Sequence, residues 1–207
     1  MPAPKRITKE FVLSAALQVV RKHGFDALNA RSIAKELRCS TQPIYVEFAN
    51  MEELKNLVVD EIIACHKTKV EAALQKLEKE AYRAYGLGFV QFARDEKELF
   101  RFLYLNAEDG GKIRDDIFLE QIIENIQREY GYTEETAKKF HSDMHNYTYG
   151  IAMLANTGYR NYSDEEIKEL LHREFMALTS IYGIPLLFLQ KKRQYQNAPR
   201  MMPEQEE

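Results

Sequence analysis

Residues 29–48, Asn29 to Phe48, read NARSIAKELRCSTQPIYVEF, and this stretch decides the fold. Ile33, Ala34 and Leu37 fall at i, i+1 and i+4, one face of a short helix. Asn29 precedes that helix as its N-cap, and Leu28 and Ile33 stand at the N′ and N4 positions of a hydrophobic staple. The pattern breaks at Arg38-Cys39-Ser40, which leaves room only for a tight turn. A second short helix then sets Ile44, Tyr45 and Phe48 on one face. Pro43 has no N–H and is tolerated only in a first helical turn, so this helix should begin at about Ser40 to Gln42. Two short helices, a tight turn and small polar residues opening the second helix make a helix-turn-helix pattern. In that motif the second helix enters the DNA major groove with its N-terminal residues at base edges.

The side chains at that end suit the task. Gln42 can pair bidentately with adenine, and Thr41 can offer a hydroxyl or a methyl group to a base edge. With Ser40 and Pro43 they open a helix whose free N–H groups favour phosphate. Tyr45 is either a phosphate hydrogen-bonder or a core aromatic, since Ile44 and Phe48 already fill the inward face. Arg31, Lys5, Arg6 and Lys55 are either phosphate contacts or solvated surface charges. Glu47 has the wrong charge for DNA and is expected to face solvent or basic neighbours.

Working outward, Phe11, Val12, Ala15, Ala16, Val19 and Val20 form the apolar stripe of a first helix from about Thr8 to His23, ended by Gly24. Asn50 and Glu53 make a capping-box-like start to a fourth helix. It continues through Leu54, Leu57, Val58 and Ile62 to about Leu77, long enough to act as a connector. Beyond it every segment has helical period: about 79–94, 96–105, 112–130, 133–156 and 163–192, punctuated by Gly110-Gly111, Gly131 and Gly158. Ser163 with Glu166 is another capping box, stapled by Tyr162 and Ile167. The class expected is all-α.

Gly24-Phe25, Ile33-Ala34, Ser40, Ile44-Tyr45, Phe48 and Glu53-Leu54, taken together, resemble the N-terminal domain of TetR-type transcriptional repressors over roughly the first 55 residues. The resemblance implies an all-helical homodimer, with a three-helix DNA-binding head and a larger helical bundle that usually binds a small effector. The corresponding divisions are 1–60 for the head, 61–195 for the effector-binding and dimerisation bundle, and 196–207 for a frayed polar tail. Two positions depart from the pattern. The turn glycine usual in that family is Arg38 here, so either a left-handed residue costs energy or the turn differs. The lysine that usually opens helix 4 and grips phosphate is Met51, flanked by Glu52 and Glu53.

Charge agrees with a nucleic-acid partner. The formal net charge is −3, yet residues 1–50 hold eight Lys and Arg against four acids, a net of +4 that leaves −7 for the remainder. Chance fluctuation would explain the same asymmetry. Hydrophobic content of 45% allows an ample core. Cys39 and Cys65 show neither disulfide nor metal spacing, which fits a reducing, cytoplasmic setting. The most apolar run, near Ile181 to Leu189, is too short to span a bilayer and is broken by Gly183 and Pro185, and there is no signal-type run at the N-terminus.

Of 23 Phe and Tyr residues, 19 follow residue 60. Most should be core, but tyrosine hydroxyls need partners, and Phe89, Phe92, Phe100, Tyr104, Met144 and Tyr147 are the candidate lining of a cavity for an amphipathic ligand. HNYTYGIAMLANTG resembles the penultimate helix of the family; with the last helix it implies a four-helix dimer interface using Ile151, Leu154, Ala155, Phe175, Leu178 and Ile181. His141 and His145, at i and i+4, could begin a metal site, but no H-E-x-x-H arrangement or cysteine cluster supports one. No nucleophile motif, phosphate loop or dinucleotide fingerprint occurs, so neither an enzyme nor a cofactor is expected. The expected function is a transcriptional repressor, dimeric on a pseudo-palindromic double-stranded operator and released by a small effector. The alternative is an adaptor of the same fold with weak or no specific DNA binding, motivated by Met51, Arg38 and Glu47.

Overall fold

Alternation between buried and solvated faces runs with helical period through the whole of the computed structural model, which describes residues 7–76, 81–105 and 118–183. Among the described residues there is no strand. The helices are α1 (Lys9–His23), α2 (Ala30–Leu37), α3 (Gln42–Glu47), α4 (Met51–Lys76), α5 (Ala81–Asp95), α6 (Lys97–Leu105), α7 (Leu119–Tyr130), α8 (Glu134–Thr157) and α9 (Asp164–Tyr182), with a 3-10 turn at Phe25–Ala27. The chain is all-α, as its periodicity predicts. The expectations for Lys5 and Arg6, for Leu77, for Gly110-Gly111 and 112–117, for the final helix beyond 183 and for the tail lie outside the described residues. Among the described residues, no helix is long and apolar enough to cross a membrane.

Local chemistry sets the helix ends. Thr8, Thr133 and Ser163 cap α1, α8 and α9, each accepting a backbone N–H through its hydroxyl. Glu166 closes the box at α9 by accepting the Ser163 N–H at 2.8 Å, and that bond holds its carboxyl below the usual carboxylate range. Gly131 and Gly158 end α7 and α8 with φ of 75°, a left-handed turn that glycine adopts without strain. Phe11 departs from the expected stripe. It is 48% exposed, at the flank of the arc that buries Val12, Ala16, Val19 and Val20, while Leu17 is buried instead.

α5 is the central helix. It is buried nearly all round, at Tyr82, Ala84, Leu87, Phe89, Val90, Phe92 and Ala93, because α4, α6, α7, α8 and α9 surround it. Its closest neighbour is α4. A Cβ placed on Gly88 would lie 2.6 Å from Val70 Cα and 2.9 Å from Val70 N, so only a glycine lets these two backbones meet. α4 is a single 26-residue helix, and the expected boundary at residue 60 falls inside it. Its buried face is Leu54, Val58, Ile62, His66, Val70 and Ala73. Two further links join α1 and the 3-10 turn to α6. Arg21 grips Glu96 with both Nε (2.9 Å) and Nη2 (3.0 Å), and Phe25 stacks on Phe102 at 4.0 Å between ring centroids.

Two buried polar side chains of the core, Asn156 and Gln91, are tied down. Asn156 donates to the carbonyls of Ala93 and Lys97, both at 3.0 Å, and accepts from Arg101 Nε at 3.1 Å, fixing α8 to the α5–α6 junction. Gln91 donates to Asp164 at 2.8 Å. Two histidines lie among the aromatic rings, and burial lowers the pKa of His66 to about 3 and that of His141 to about 4.

Gly88→Ala is expected to destabilise the protein by about 2 kcal/mol or more, since the clash is with backbone and outweighs the better helix propensity of alanine. A denaturant midpoint equal to the parent's would refute the close approach. Acid should also weaken the fold. Both histidines are neutral in the folded state but take up protons near pH 6.5 when unfolded, so the stability they carry is intact above pH 6.5 and lost as pH falls toward 4. Each contributes a slope of about 1.4 kcal/mol per pH unit in that window, and His141→Gln should remove about half of the combined slope in denaturation series at pH 7.5, 6 and 5.

Candidate functional site

Helix α2, which leads into the turn to α3, is closed at both ends. Asn29 Oδ1 accepts the N–H groups of Arg31 (3.0 Å) and Ser32 (3.1 Å), while Ser32 Oγ takes the Asn29 N–H at 3.1 Å. Ser32 thus completes a capping box with Asn29, the expected N-cap. Leu28 and Ile33, the staple, are both buried. Arg38 has φ 55° and ψ 44°, so the turn keeps a left-handed residue without its glycine, at a cost of about 1 kcal/mol. The Cys39 N–H donates to Ala34 O at 3.0 Å and caps the end of α2.

α3 starts at Gln42, with Pro43 in its first turn. Ile44 and Phe48 are buried against the core of α1 and α4, whereas Tyr45 is 54% and Val46 is 74% exposed. Tyr45 therefore is not a core aromatic. Ser40 and Gln42 are exposed, Thr41 and Pro43 half-buried, and Thr41 makes no capping bond with its side chain. Arg31 is exposed on the first turn of α2. Lys55 is half-buried on α4, with its Nζ 5.9 Å from the Phe25 ring centre.

Two acids of this region already have cations. Lys22 pairs with Glu36 at 2.6 Å. Lys9 pairs with Glu53 at 3.0 Å and lies 5.0 Å over the Phe48 ring. Glu53 also accepts the Ala49 N–H at 2.9 Å, and its own N–H donates to Asn50 Oδ1 at 2.9 Å. The Ala49 N–H, and after it the Lys9 ammonium, hold the Glu53 carboxyl below its ordinary range. Met51 packs against the core at the start of α4, in the place where the resemblance calls for a lysine.

A second feature lies among α4, α5, α6, α7, α8 and α9: a cavity of about 390 Å³. Of the six expected lining residues, Phe89, Tyr104 and Met144 do line it. Phe92 and Phe100 are fully buried behind it, Phe92 stacked on His66 and Phe100 tilted against Tyr104. Tyr147 is half-buried and packs elsewhere on the core. The wall instead recruits His66, Tyr82, Tyr85, His141 and Phe175. Two tyrosine–histidine pairs reach into it: Tyr104 OH and His66 Nδ1 at 2.9 Å, and Tyr82 OH and His141 Nδ1 at 3.3 Å. A signal for His66 was present in the sequence, since it interrupts the apolar line of Ile62, Val70 and Ala73 on one face of α4. Among the described residues no three or more His, Cys, Asp or Glu side chains converge to hold a metal.

Of the six residues expected at an interface between copies, Ile151, Ala155, Phe175 and Leu178 are buried within the chain itself. Leu154 and Ile181 are exposed, and so are Met176 and Tyr159 nearby in α9 and after α8. Gly150 has no atom within 4 Å of where a Cβ would stand.

Comparison with known proteins follows the same division. Residues 12–56 match the family model of bacterial regulatory proteins, tetR family. The chain is 27% identical over 108 residues to the tetracycline repressor protein class D of Escherichia coli, a stretch covering 52% of this chain and 44% of that relative. The same figures hold for the class H protein of Photobacterium damsela subsp. piscicida, so the match spans less than half the length of these relatives. In structure it resembles a TetR-like transcriptional regulator from Rhodococcus sp. RHA1 with a TM-score of 0.60 at 17% identity, over 87% of this chain and 98% of that one, a likeness of fold. The likeness to the tetR family of bacterial regulatory proteins thus rests on the head, residues 12–56, and beyond it the likeness is one of fold.

Proposed function

We propose that the chain is a DNA-binding transcriptional regulator: a homodimeric repressor that leaves a pseudo-palindromic operator when a small, partly apolar ligand enters the cavity. The observation that carries this reading is the division of α3, whose Ile44 and Phe48 anchor it to the core while Gln42, Tyr45 and Val46 face outward. A short helix held from behind with polar and aromatic side chains in front is the geometry that reads base edges in a major groove. Gln42 and Thr41 would read bases, with Arg31, Ser40, Tyr45 and Lys55 on phosphates. Both cysteines are free thiols, in keeping with a regulator working in the reducing cytoplasm.

A second copy would dock on the outer face of α8 and α9. Leu154, Met176 and Ile181 offer apolar side chains there, Gly150 allows close approach, and Ile151, Ala155, Phe175 and Leu178 support that face from within. Two heads would then read half-sites about 34–36 Å apart. Ligand in the cavity would tilt α4 and spoil that spacing, so ligand and operator would oppose each other through one element. The adaptor reading retains one observation in its favour: Met51, partly buried, packs against the core where a phosphate-gripping lysine would serve.

Selection from a pool of random duplex DNA, at two salt concentrations, tests the proposal. An enriched palindrome is expected, with a dimer mass by light scattering at micromolar concentration. On the enriched duplex, Gln42→Ala should relax base preference by about 1–3 kcal/mol at one position per half-site. Arg31→Ala should lower affinity across all sequences and reduce the salt slope by about 1 per head. Weak binding abolished by salt would favour the adaptor, and a monomer mass would defeat the two-headed geometry.

A further inference from the structure

His66 is the one described residue with a buried side-chain polar atom that has no hydrogen-bond partner. The ring is 1% exposed and lines the cavity. It is held flat against Phe92, with centroids 4.7 Å apart and planes at 22°, and edge-on to Tyr104 and Phe118. Nδ1 is engaged by the Tyr104 hydroxyl at 2.9 Å, and Nε2 is the orphan.

The proton count decides what the orphan is. Tyr104 OH has one proton and, among the described residues, Nδ1 of His66 as its hydrogen-bond partner. If Tyr104 donates, its proton is satisfied and the neutral imidazole carries its own proton on Nε2. The reverse arrangement would strand the tyrosine proton in an apolar site. Nε2–H is therefore a buried donor without an acceptor, a group that costs about 1–3 kcal/mol until one is supplied.

We infer that the cavity takes an uncharged, flat aromatic compound bearing a hydrogen-bond acceptor such as a ring ketone, with that acceptor on Nε2–H of His66. The inference deepens the effector half of the proposed function and depends on that reading only for its effect on DNA. The walls favour flat rings, since Phe89, Tyr85, Tyr82 and Phe118 all face the space. The interior favours a neutral guest. Burial keeps His66 and His141 uncharged, while the charged lining residues are Arg83, half-buried, and Lys138, a largely exposed side chain paired with Glu134. A ligand so held pulls directly on α4, because His66 stands between Ile62 and Val70 on its buried face.

The matched pair 9-fluorenone and fluorene tests this, since they share a three-ring skeleton and differ by a carbonyl in place of a methylene. Titration of the full-length protein, followed by calorimetry, should give roughly tenfold tighter binding of fluorenone. His66→Phe should abolish the difference. Tyr104→Phe keeps the imidazole but removes the group that fixes its proton on Nε2, and should shrink the difference; it carries the test if the first variant fails to fold. Equal binding of the two probes by the parent, a difference that survives His66→Phe or is unchanged in Tyr104→Phe, or no binding of either probe would overturn the inference. A protein that selects a palindrome yet ignores the carbonyl would refute this inference and spare the DNA reading. One that prefers fluorenone but selects no DNA would do the opposite.

Discussion

Gly88 and Val70 bring the backbones of α5 and α4 closer than any side chain would permit, and the fold is arranged around that meeting. It fixes the middle of α4 against the most buried helix of the molecule. Because α4 is continuous, whatever is attached to its first turns moves with whatever is attached to its last. Leu54 and Val58 are buried at one end, where it packs against α1. At the other, His66 and Val70 form part of the cavity wall. A broken or kinked connector would let α2 and α3 and the cavity drift independently, and an unbroken hydrogen-bonded helix resists this.

α4 does not act alone. The bidentate Arg21–Glu96 pair and the Phe25–Phe102 stack tie the other side of the head to α6. Glu96 lies at the junction of α5 and α6, one residue from Lys97, whose carbonyl is held by the buried Asn156. Movement of α4 must therefore either carry these attachments along or strain them. Packed interfaces of this kind shift between discrete arrangements and do not deform smoothly, which is the property a switch requires.

Much of the architecture was legible because it depends on neighbours in sequence. The Asn29 cap, the Leu28–Ile33 staple, the Ser163–Glu166 box and the terminating glycines all act within a turn or two, and spacing alone discloses them. The cavity was only half legible, for a physical reason. Phe92 and Phe100 have the same helical spacing as Phe89 and Tyr104, but which of two adjacent buried arcs meets empty space depends on the opposing helices. Phe175 was expected on an outer face and turns inward, where it packs against Phe140 and Tyr130. Arg38 shows the converse. The sequence raised the question of a left-handed residue without glycine, and the backbone accepts the strain so that the turn between α2 and α3 keeps its shape.

The central claim is that α4 transmits as one unit between the head helices α2 and α3, proposed to meet DNA, and the cavity. Amide hydrogen exchange along residues 51–76, measured with and without the selected duplex, tests it most directly. The account predicts that DNA changes protection well past the head, reaching Ile62 through Val70 beside the cavity. A change confined to residues before 60, with the cavity-lining half of α4 exchanging as in the free protein, would contradict it.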